Sequence, residues 1–453
     1  MFIVPAAAEP LVESIGDVFT RPTLQRFVLL MCGVIVTMGR RTVSRALQVM
    51  QPQVFGHWCN YHRIYSGAKF SMWSLAAIVV RQVVGLLPAD AVIELVADET
   101  VDGKDGDHVW AKGAHRDASR SSRSKTHIQF GHQWLAMCVL VHLKGWDRPW
   151  ALPILCGLCL SPKVAGPVAR RPKTASQLAR QLLIRLMRWL PGRRFILIGD
   201  YKVVTHQTVE FAQRHWERVT VIGRLRGDAN LYAAPLNPRR RSRAGGLAKK
   251  GGKLPSPQEQ IGRLKPTTQE VTWYGSSRRE MHFISQEALW YDKHSSAVTP
   301  IRWVCVLGDK QQNLQDAFFF CSDPCMVAAR IIEHYARRWN IEVTFEESRA
   351  LLGLETTRHW CRQSVLRVTP MLLGLFTAVV LIWRELPKVR QQMVRTATPC
   401  YHKSSVTFAD ALAAVRADLW EKSLLGHRRN GRCLTCLPRN VRRTILWHLS
   451  AAA

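Results

Sequence analysis

Two short apolar runs, each closing on an aspartate, constrain this chain more than any other feature. Val92-Ile-Glu-Leu-Val-Ala-Asp98 and Arg194-Phe-Ile-Leu-Ile-Gly-Asp200 are dense in β-branched and large aliphatic side chains. Glycine-containing or polar stretches bound them, the pattern of buried strands. Between them lie two more strand-like runs, at 133–143 and 151–160, and an amphipathic helix over 174–190 with basic positions at Arg180, Arg185 and Arg188. A helix at 205–216 and a strand at 219–225 follow the second acid, so the order is βββαβαβ. In a five-stranded mixed sheet of spatial order 3-2-1-4-5, the first and fourth strands are neighbours. Asp98 and Asp200 then come within a few ångströms of each other.

Two adjacent carboxylates with no basic partner in either strand repel each other, and divalent cations relieve that repulsion. Hard oxygen ligands select Mg²⁺ or Mn²⁺, and two such ions about 4 Å apart support in-line phosphoryl displacement. Taken singly, each Asp is equally suited to ending a strand or capping the helix behind it. A third carboxylate is expected from a later helix packed on the sheet, and the segment from Tyr335 to Arg349 supplies it. At about 100° per residue, Tyr335, Arg338, Glu342 and Arg349 stand at about 0°, 300°, 340° and 320°, one face about 60° wide. Glu346, at about 20°, shares that face and competes with Glu342, whereas Glu347 points away. Guanidinium groups at Arg338 and Arg349 suit phosphate oxygens, and Tyr335 suits a phosphate or a base. The plainer alternative for Arg338 and Glu342 is an i,i+4 ion pair on a solvated helix.

Charge narrows the partner. With 64 basic and 33 acidic residues the chain carries +31, on 47% hydrophobic residues. That apolar share excludes a disordered chain. The surplus implies a polyanion, nucleic acid before an anionic membrane. The longest apolar runs, 28–38 and 371–383, fall short of the roughly 18–20 apolar residues a spanning helix needs. The N-terminus lacks the basic-then-apolar order of a secretory signal. No membrane partner and a cytoplasmic setting with reduced cysteines are therefore expected. Of two CxxC pairs, Cys156/Cys159 falls in an apolar strand. Cys433/Cys436 lies in a basic tail near His427 and His448, where zinc would need a second well-spaced pair.

Composition divides the chain into five stretches. Residues 1–90 read as an N-terminal helical domain. A turn and a basic helix opening near Thr42 or Ser44 fit a helix-turn-helix DNA reader, with a plain basic bundle as the alternative. Residues 91–226 form the first part of the core and 227–327 an inserted β-rich subdomain. The insertion carries a glycine-rich basic arm whose Arg239, Arg240, Arg241, Lys249 and Lys250 suit phosphates or a minor groove. Residues 328–385 hold the Glu helix, and 386–453 are a basic C-terminal region. His132 and Trp134 at the entry to the second strand, with His115, Arg116 and Lys125 in the loop after Asp98, are further candidate DNA contacts.

Asp98, Asp200 and Glu342, spaced 102 and 142 residues apart, resemble the DDE triad of bacterial insertion-sequence transposases. More narrowly, Tyr335-x2-Arg338-x3-Glu342-x6-Arg349 resembles the Y-(2)-R-(3)-E-(6)-K signature of one large transposase group with a β-strand insertion before the Glu helix. Asp98-Glu-Thr, Gly131-His-Gln-Trp134, the stretch from Ile222 to Tyr232, Lys249-Lys-Gly-Gly-Lys-Leu-Pro255 and Ile341-Glu-Val-Thr-Phe-Glu-Glu347 are similar to segments of its DDE-superfamily endonuclease relatives. The likeness covers roughly residues 20 to 385. Arg349 stands where the signature has Lys, which keeps the charge and alters the geometry.

The resemblance implies an α/β fold: an RNase H-like mixed five-stranded sheet with helices, interrupted by the inserted β subdomain and preceded by the helical domain. It implies two Mg²⁺ ions, or Mn²⁺ in their place, held by Asp98, Asp200 and Glu342. It also implies cleavage of the element's terminal repeats to leave a 3′-OH that is joined to target DNA, with Tyr335, Arg338 and Arg349 on the backbone. A homodimer across the two ends follows by the same analogy. A DNA-binding or repressor derivative that no longer cuts, and a metal-dependent nuclease without strand transfer, would show the same charge and are the alternatives.

Overall fold

The structure is a computed structural model. It describes residues 4–116, 121–122, 124–143, 146–168, 171–236, 249–274, 277–292, 297–309, 314–392 and 405–421, with a few isolated positions beyond. Five N-terminal helices, α1 (Glu9–Ser14), α2 (Arg21–Val36), α3 (Val43–Val49), α4 (Cys59–Ser66) and α5 (Met72–Val84), lead into β1 (Ile93–Gly103). Then come β2 (Gly113–Arg116), β3 (Ile128–Val141), β4 (Trp150–Cys159), α6 (Pro162–Ala165), α7 (Ala175–Trp189), β5 (Phe195–Gly199), α8 (His206–Arg214) and β6 (Val219–Arg224). The remaining strands are β7 (Leu231–Tyr232), β8 (Thr267–Thr272), β9 (Arg278–Asp292), β10 (Ala297–Val306) and β11 (Ala317–Cys321). Helices α9 (Ala328–Ala336), α10 (Trp339–Leu352), α11 (Arg362–Glu385), α12 (Lys388–Gln392) and α13 (Phe408–Leu419) complete the described chain.

The spatial order β4-β3-β1-β5-β6 is the expected 3-2-1-4-5. β1 lies antiparallel to β3 and parallel to β5, and β5 lies parallel to β6. β5 is buried at every position and β1 and β6 at most, as parallel strands covered on both faces require. The strands of the insertion do not build a separate sheet. β11 pairs antiparallel with β6, and β10 and β9 add beyond it, giving one eleven-stranded sheet. Elements that were not expected include β11 and the short β7 in the insertion, α6 after β4, and β2 within the stretch that reads as a loop.

Turn chemistry fixes where helices begin. Thr174 accepts from the Gln177 amide while the Gln177 side chain accepts from the Thr174 N–H, closing a capping box on α7. Thr42 caps α3 in the same sense, accepting from Arg45 N. The N-terminal helices do not stand apart from the rest. α4 and α5 pack on α11, α5 packs on β4, and Arg367 of α11 donates to the carbonyls of Ile64 and Ala68 at 2.9 and 2.7 Å.

α11 is longer than its apolar run. It starts eight residues before Pro370 and is long and apolar enough to cross a membrane, but most of its apolar length is buried inside the fold. It is the core helix that residues 371–383 suggest.

A row of small residues makes room behind Asp200. Ala97, Gly199 and Gly223 pair across β1, β5 and β6, and the turn carrying Val203 and Val204 packs on them. A Cβ on Gly199 would meet Val203 Cβ at 2.9 Å. Gly199→Ala is therefore expected to cost about 1–3 kcal/mol by overpacking and to push Asp200 out of register. Chemical denaturation beside a metal-binding titration checks both halves.

Candidate active site

Ala97 pairs with Gly199, so Asp98 and Asp200 are the next residues on two adjacent parallel strands. β1 continues five residues past Asp98 against β3, so the acid marks the end of the parallel pairing and not of the strand. Asp200 Oδ1 accepts from Lys202 N at 2.9 Å and Val203 N at 3.1 Å, so this acid also caps the turn into α8.

The third acid arrives through a break that the periodicity does not show. Residues 326–352 read as one helix, but α9 ends at Ala336 and α10 begins at Trp339. Arg338 N bonds Tyr335 O at 3.0 Å and Ile341 N bonds Arg338 O at 3.1 Å, the tighter i→i+3 pattern. Two consecutive arginines at this break reach two acids on one face of β1. Arg337 bonds both carboxylate oxygens of Glu94, at 2.8 and 3.0 Å, and His334 adds a contact at 3.2 Å. Burial alone would raise Glu94, but His334 and Arg337 outweigh it and hold this carboxyl at about 2. Arg338 bonds Asp98 with one guanidinium nitrogen and Glu342 Oε1 with the other, the latter at 2.6 Å. One cation thus joins the first strand's acid to the helix's acid.

Asp200 and Glu342 lie close enough to Asp98 for their charges to act on it. Burial pushes Asp98 up to about 6, with Arg338 opposing and the negative charges of Asp200 and Glu342 adding to the rise. Asp200 Oδ2 and Glu342 Oε2 take no hydrogen bond from the described residues. Carboxylates of Asp98 and Glu342 meeting at a position now filled by a guanidinium, with Asp200 on the adjoining strand, suit a hard divalent cation. A raised Asp98 binds its proton across the window from 3.8 to about 6, where an unfolded Asp has released it. Metal must displace that proton, so Mg²⁺ or Mn²⁺ affinity is expected to fall about tenfold per pH unit below about 6. Isothermal titrations with Mn²⁺ on either side of that value check this.

The other expected residues are placed as follows. Tyr335 is 3% exposed, with its ring 4.4 Å from Phe319 and under the Arg338 guanidinium. A ring packed this way cannot stack on a base; it supports Arg338. Arg349 bonds Glu355 Oε1 at 2.6 Å and the Thr100 hydroxyl, two residues along β1 from Asp98. Glu346 is exposed and makes no described contact with the acids, so Glu342 alone on this helix shares Arg338 with Asp98. His132 is 1% exposed and bonds the Trp110 carbonyl at 2.7 Å, which removes it from the DNA contacts. Lys125 and Lys249 are exposed. The Lys250 ammonium sits 3.8 and 3.4 Å from the ring centroids of Tyr232 and Tyr291. Arg239, Arg240, Arg241, Cys433 and Cys436 lie outside the described residues.

Sequence reasoning missed a group at the mouth of the site. Arg224, exposed at the end of β6, acts on Tyr274 and Tyr335 through its charge, and Tyr274 packs edge-on against the half-exposed Trp339. Arg224 lies inside the Ile222–Tyr232 stretch quoted above. Tyr274 comes from the insertion, and no local signal aims it at α10.

Three acids gathered by adjacent strands and a following helix form a layout suited to phosphodiester cleavage. The chain belongs to the DDE superfamily endonucleases, whose family profile matches residues 15–280. That match contains Asp98 and Asp200; Glu342 lies beyond it and is assigned by geometry. Among solved structures the chain is similar to a piggyBac transposase, seen by cryo-electron microscopy in a synaptic complex with hairpin DNA. The two are 9% identical with a TM-score of 0.43, over 95% of this chain and 76% of that one. No curated protein matches.

Proposed function

We propose that this endonuclease is a DNA transposase of the insertion-sequence type, cutting the ends of its element and joining the resulting 3′-OH to target DNA. The convergence of Asp98 and Glu342 on Arg338, with Asp200 on the adjoining strand, is the observation that supports this most. Asp98, Asp200 and Glu342 would hold two Mg²⁺ ions, which when bound supply Lewis acidity and an activated oxygen nucleophile. The protein's own groups do the rest. Asp200 holds its turn through Oδ1 and keeps Oδ2 for the site. Arg338, once its carboxylates are otherwise neutralised, has both terminal nitrogens free for a phosphodiester. Arg349 and Arg224 extend positive charge along the flanks of the acids.

A charge of +31 suits DNA, and the exposed Ser44, Arg45 and Gln48 of α3 are the face such a reader would present. An intracellular setting and two copies on paired ends belong to the same proposal. The test is incubation of the full chain with a labelled pre-cut terminal repeat, supercoiled plasmid and Mg²⁺. Covalent transfer of label to plasmid is the expected result. Nicking without transfer would make the protein a nuclease only, and binding without nicking would make it a silent derivative.

A further inference from the structure

A second cluster lies further along the same strand. Asp102 is four residues past Asp98 on β1 and so on the same face, about 13 Å away at the usual rise of a strand. His132 of β3 pairs directly across from it. β3 comes this close because residue 131 is glycine, where a Cβ would stand 2.2 Å from the Asp102 carbonyl oxygen. His359, from the segment joining α10 to α11, completes the group. One potential ligand atom from each of the three residues lies within 4.8 Å of the others, and all three residues are buried.

Each of these side chains is oriented by a second contact. His132 Nε2 lies 2.7 Å from the Trp110 carbonyl, so it donates and Nδ1 carries the lone pair. His359 Nδ1 lies 3.2 Å from the Thr357 hydroxyl, which leaves Nε2 facing Asp102 Oδ2 at 3.9 Å. Asp102 Oδ2 accepts from Thr369 Oγ1 at 2.6 Å. His132 Nδ1 and His359 Nε2 are buried without a hydrogen-bond partner among the described residues. Ring nitrogens held by carbonyl and hydroxyl groups, with the opposite nitrogen directed at a carboxylate, are the outer shell that metal-binding histidines carry.

We infer that Asp102, His132 and His359 form a structural site for a borderline first-row divalent cation, Zn²⁺ before others. Two imidazole nitrogens and one carboxylate oxygen suit Zn²⁺, whereas Mg²⁺ prefers oxygen throughout. The ion would clip β1, β3 and the 354–360 segment together further along β1 from Asp98. Lys104 is the competitor: its ammonium pairs with Asp102 Oδ1 at 2.7 Å and reaches the Thr357 carbonyl at 3.2 Å. That pair leaves Oδ2 as the only oxygen for the metal, and by itself it would neutralise Asp102.

Metal analysis of the untagged full chain after exhaustive dialysis against Mg²⁺ tests this. One zinc per chain is expected in wild type and in Cys433→Ser/Cys436→Ser, with loss to none in His132→Gln and in His359→Gln. Cobalt in place of zinc in the wild-type protein should give visible bands of low-symmetry nitrogen and oxygen ligation, a readout that needs no variant to fold. Trace zinc, with no Zn²⁺-induced rise in melting temperature and no cobalt bands, would leave the Asp102–Lys104 pair alone and overturn the inference. Zinc lost from the cysteine variant but kept in both histidine variants would overturn it equally.

Discussion

Replacing Asp98, Asp200 or Glu342 singly by alanine is expected to lower Mg²⁺-dependent cleavage of a terminal-repeat duplex by about three orders of magnitude. Losing a carboxylate that holds the metal removes several kcal/mol of transition-state stabilisation, at about 1.4 kcal/mol per tenfold. Binding of the same duplex should hold or tighten, because each variant removes a negative charge from the site proposed to face DNA. Asp200 needs a second variant, since its Oδ1 also caps the following turn and alanine would cost about 1 kcal/mol there. Asn keeps an amide oxygen for that cap and loses the charge. Asp200→Asn must therefore be as inactive as Asp200→Ala; an active Asp200→Asn would reduce Asp200 to a cap. Glu346→Ala should cut like wild type, because Glu346 is exposed and apart from Arg338. Quantitative cleavage and gel-shift assays on the same preparations separate these outcomes.

The first five core strands and their order were legible because each carries a continuous apolar run with a sharp polar boundary, and in two of them that run stops at an acid. Pairing distant in sequence was not. Ala317–Cys321 is as apolar as β5, yet it lies in the stretch that reads as an insertion, and only its pairing with Ile222–Arg224 ties it to the core sheet. The α9–α10 break was hidden for a related reason. Nothing between Ala336 and Trp339 is a helix breaker; the tightened turn coincides with the pairing of Arg337 and Arg338 to Glu94 and Asp98 on β1, contacts distant in sequence. The helical face assigned to Tyr335, Arg338 and Glu342 still led to the site, since one tightened turn rotates a helix by little. What it did not show is that the Tyr335 ring is closed to base stacking, because it packs on Phe319 in a strand not foreseen. His132 misled likewise: a histidine entering a strand beside Trp134 reads as a site residue, and only the cross-strand partner Asp102 shows that it is buried.

Arg338→Ala is expected to separate folding from chemistry more sharply than any other change. In the metal-free protein its guanidinium is the cation shared by Asp98 and Glu342, and the three side chains are 14%, 17% and 34% exposed. Removing it leaves acids facing one another with no counter-charge, a loss of about 2 kcal/mol, below the range for fully buried pairs because solvent reaches Glu342. Divalent metal should restore that loss, since an ion that binds the folded state stabilises it by mass action and no longer has to displace a guanidinium. The Mg²⁺-induced rise in melting temperature should thus be larger in Arg338→Ala than in wild type, while cleavage falls for want of the phosphate contact. pH gives an independent check. Arg338 opposes the rise of Asp98, so without it that carboxyl moves above about 6 and binds its proton more firmly in the folded state. Such a group contributes stability at low pH that is lost as pH rises. The stability gap between variant and wild type should therefore widen from about pH 5 to about pH 8. Arg338→Lys should recover part of the metal-free stability, because it returns a charge, and little of the cleavage, because an ammonium cannot bridge two oxygens in the plane of a phosphodiester. Equal Mg²⁺ increments in variant and wild type, with a gap flat in pH, would mean that Arg338 is an ordinary helix-surface ion pair and does not occupy the cation position of the site.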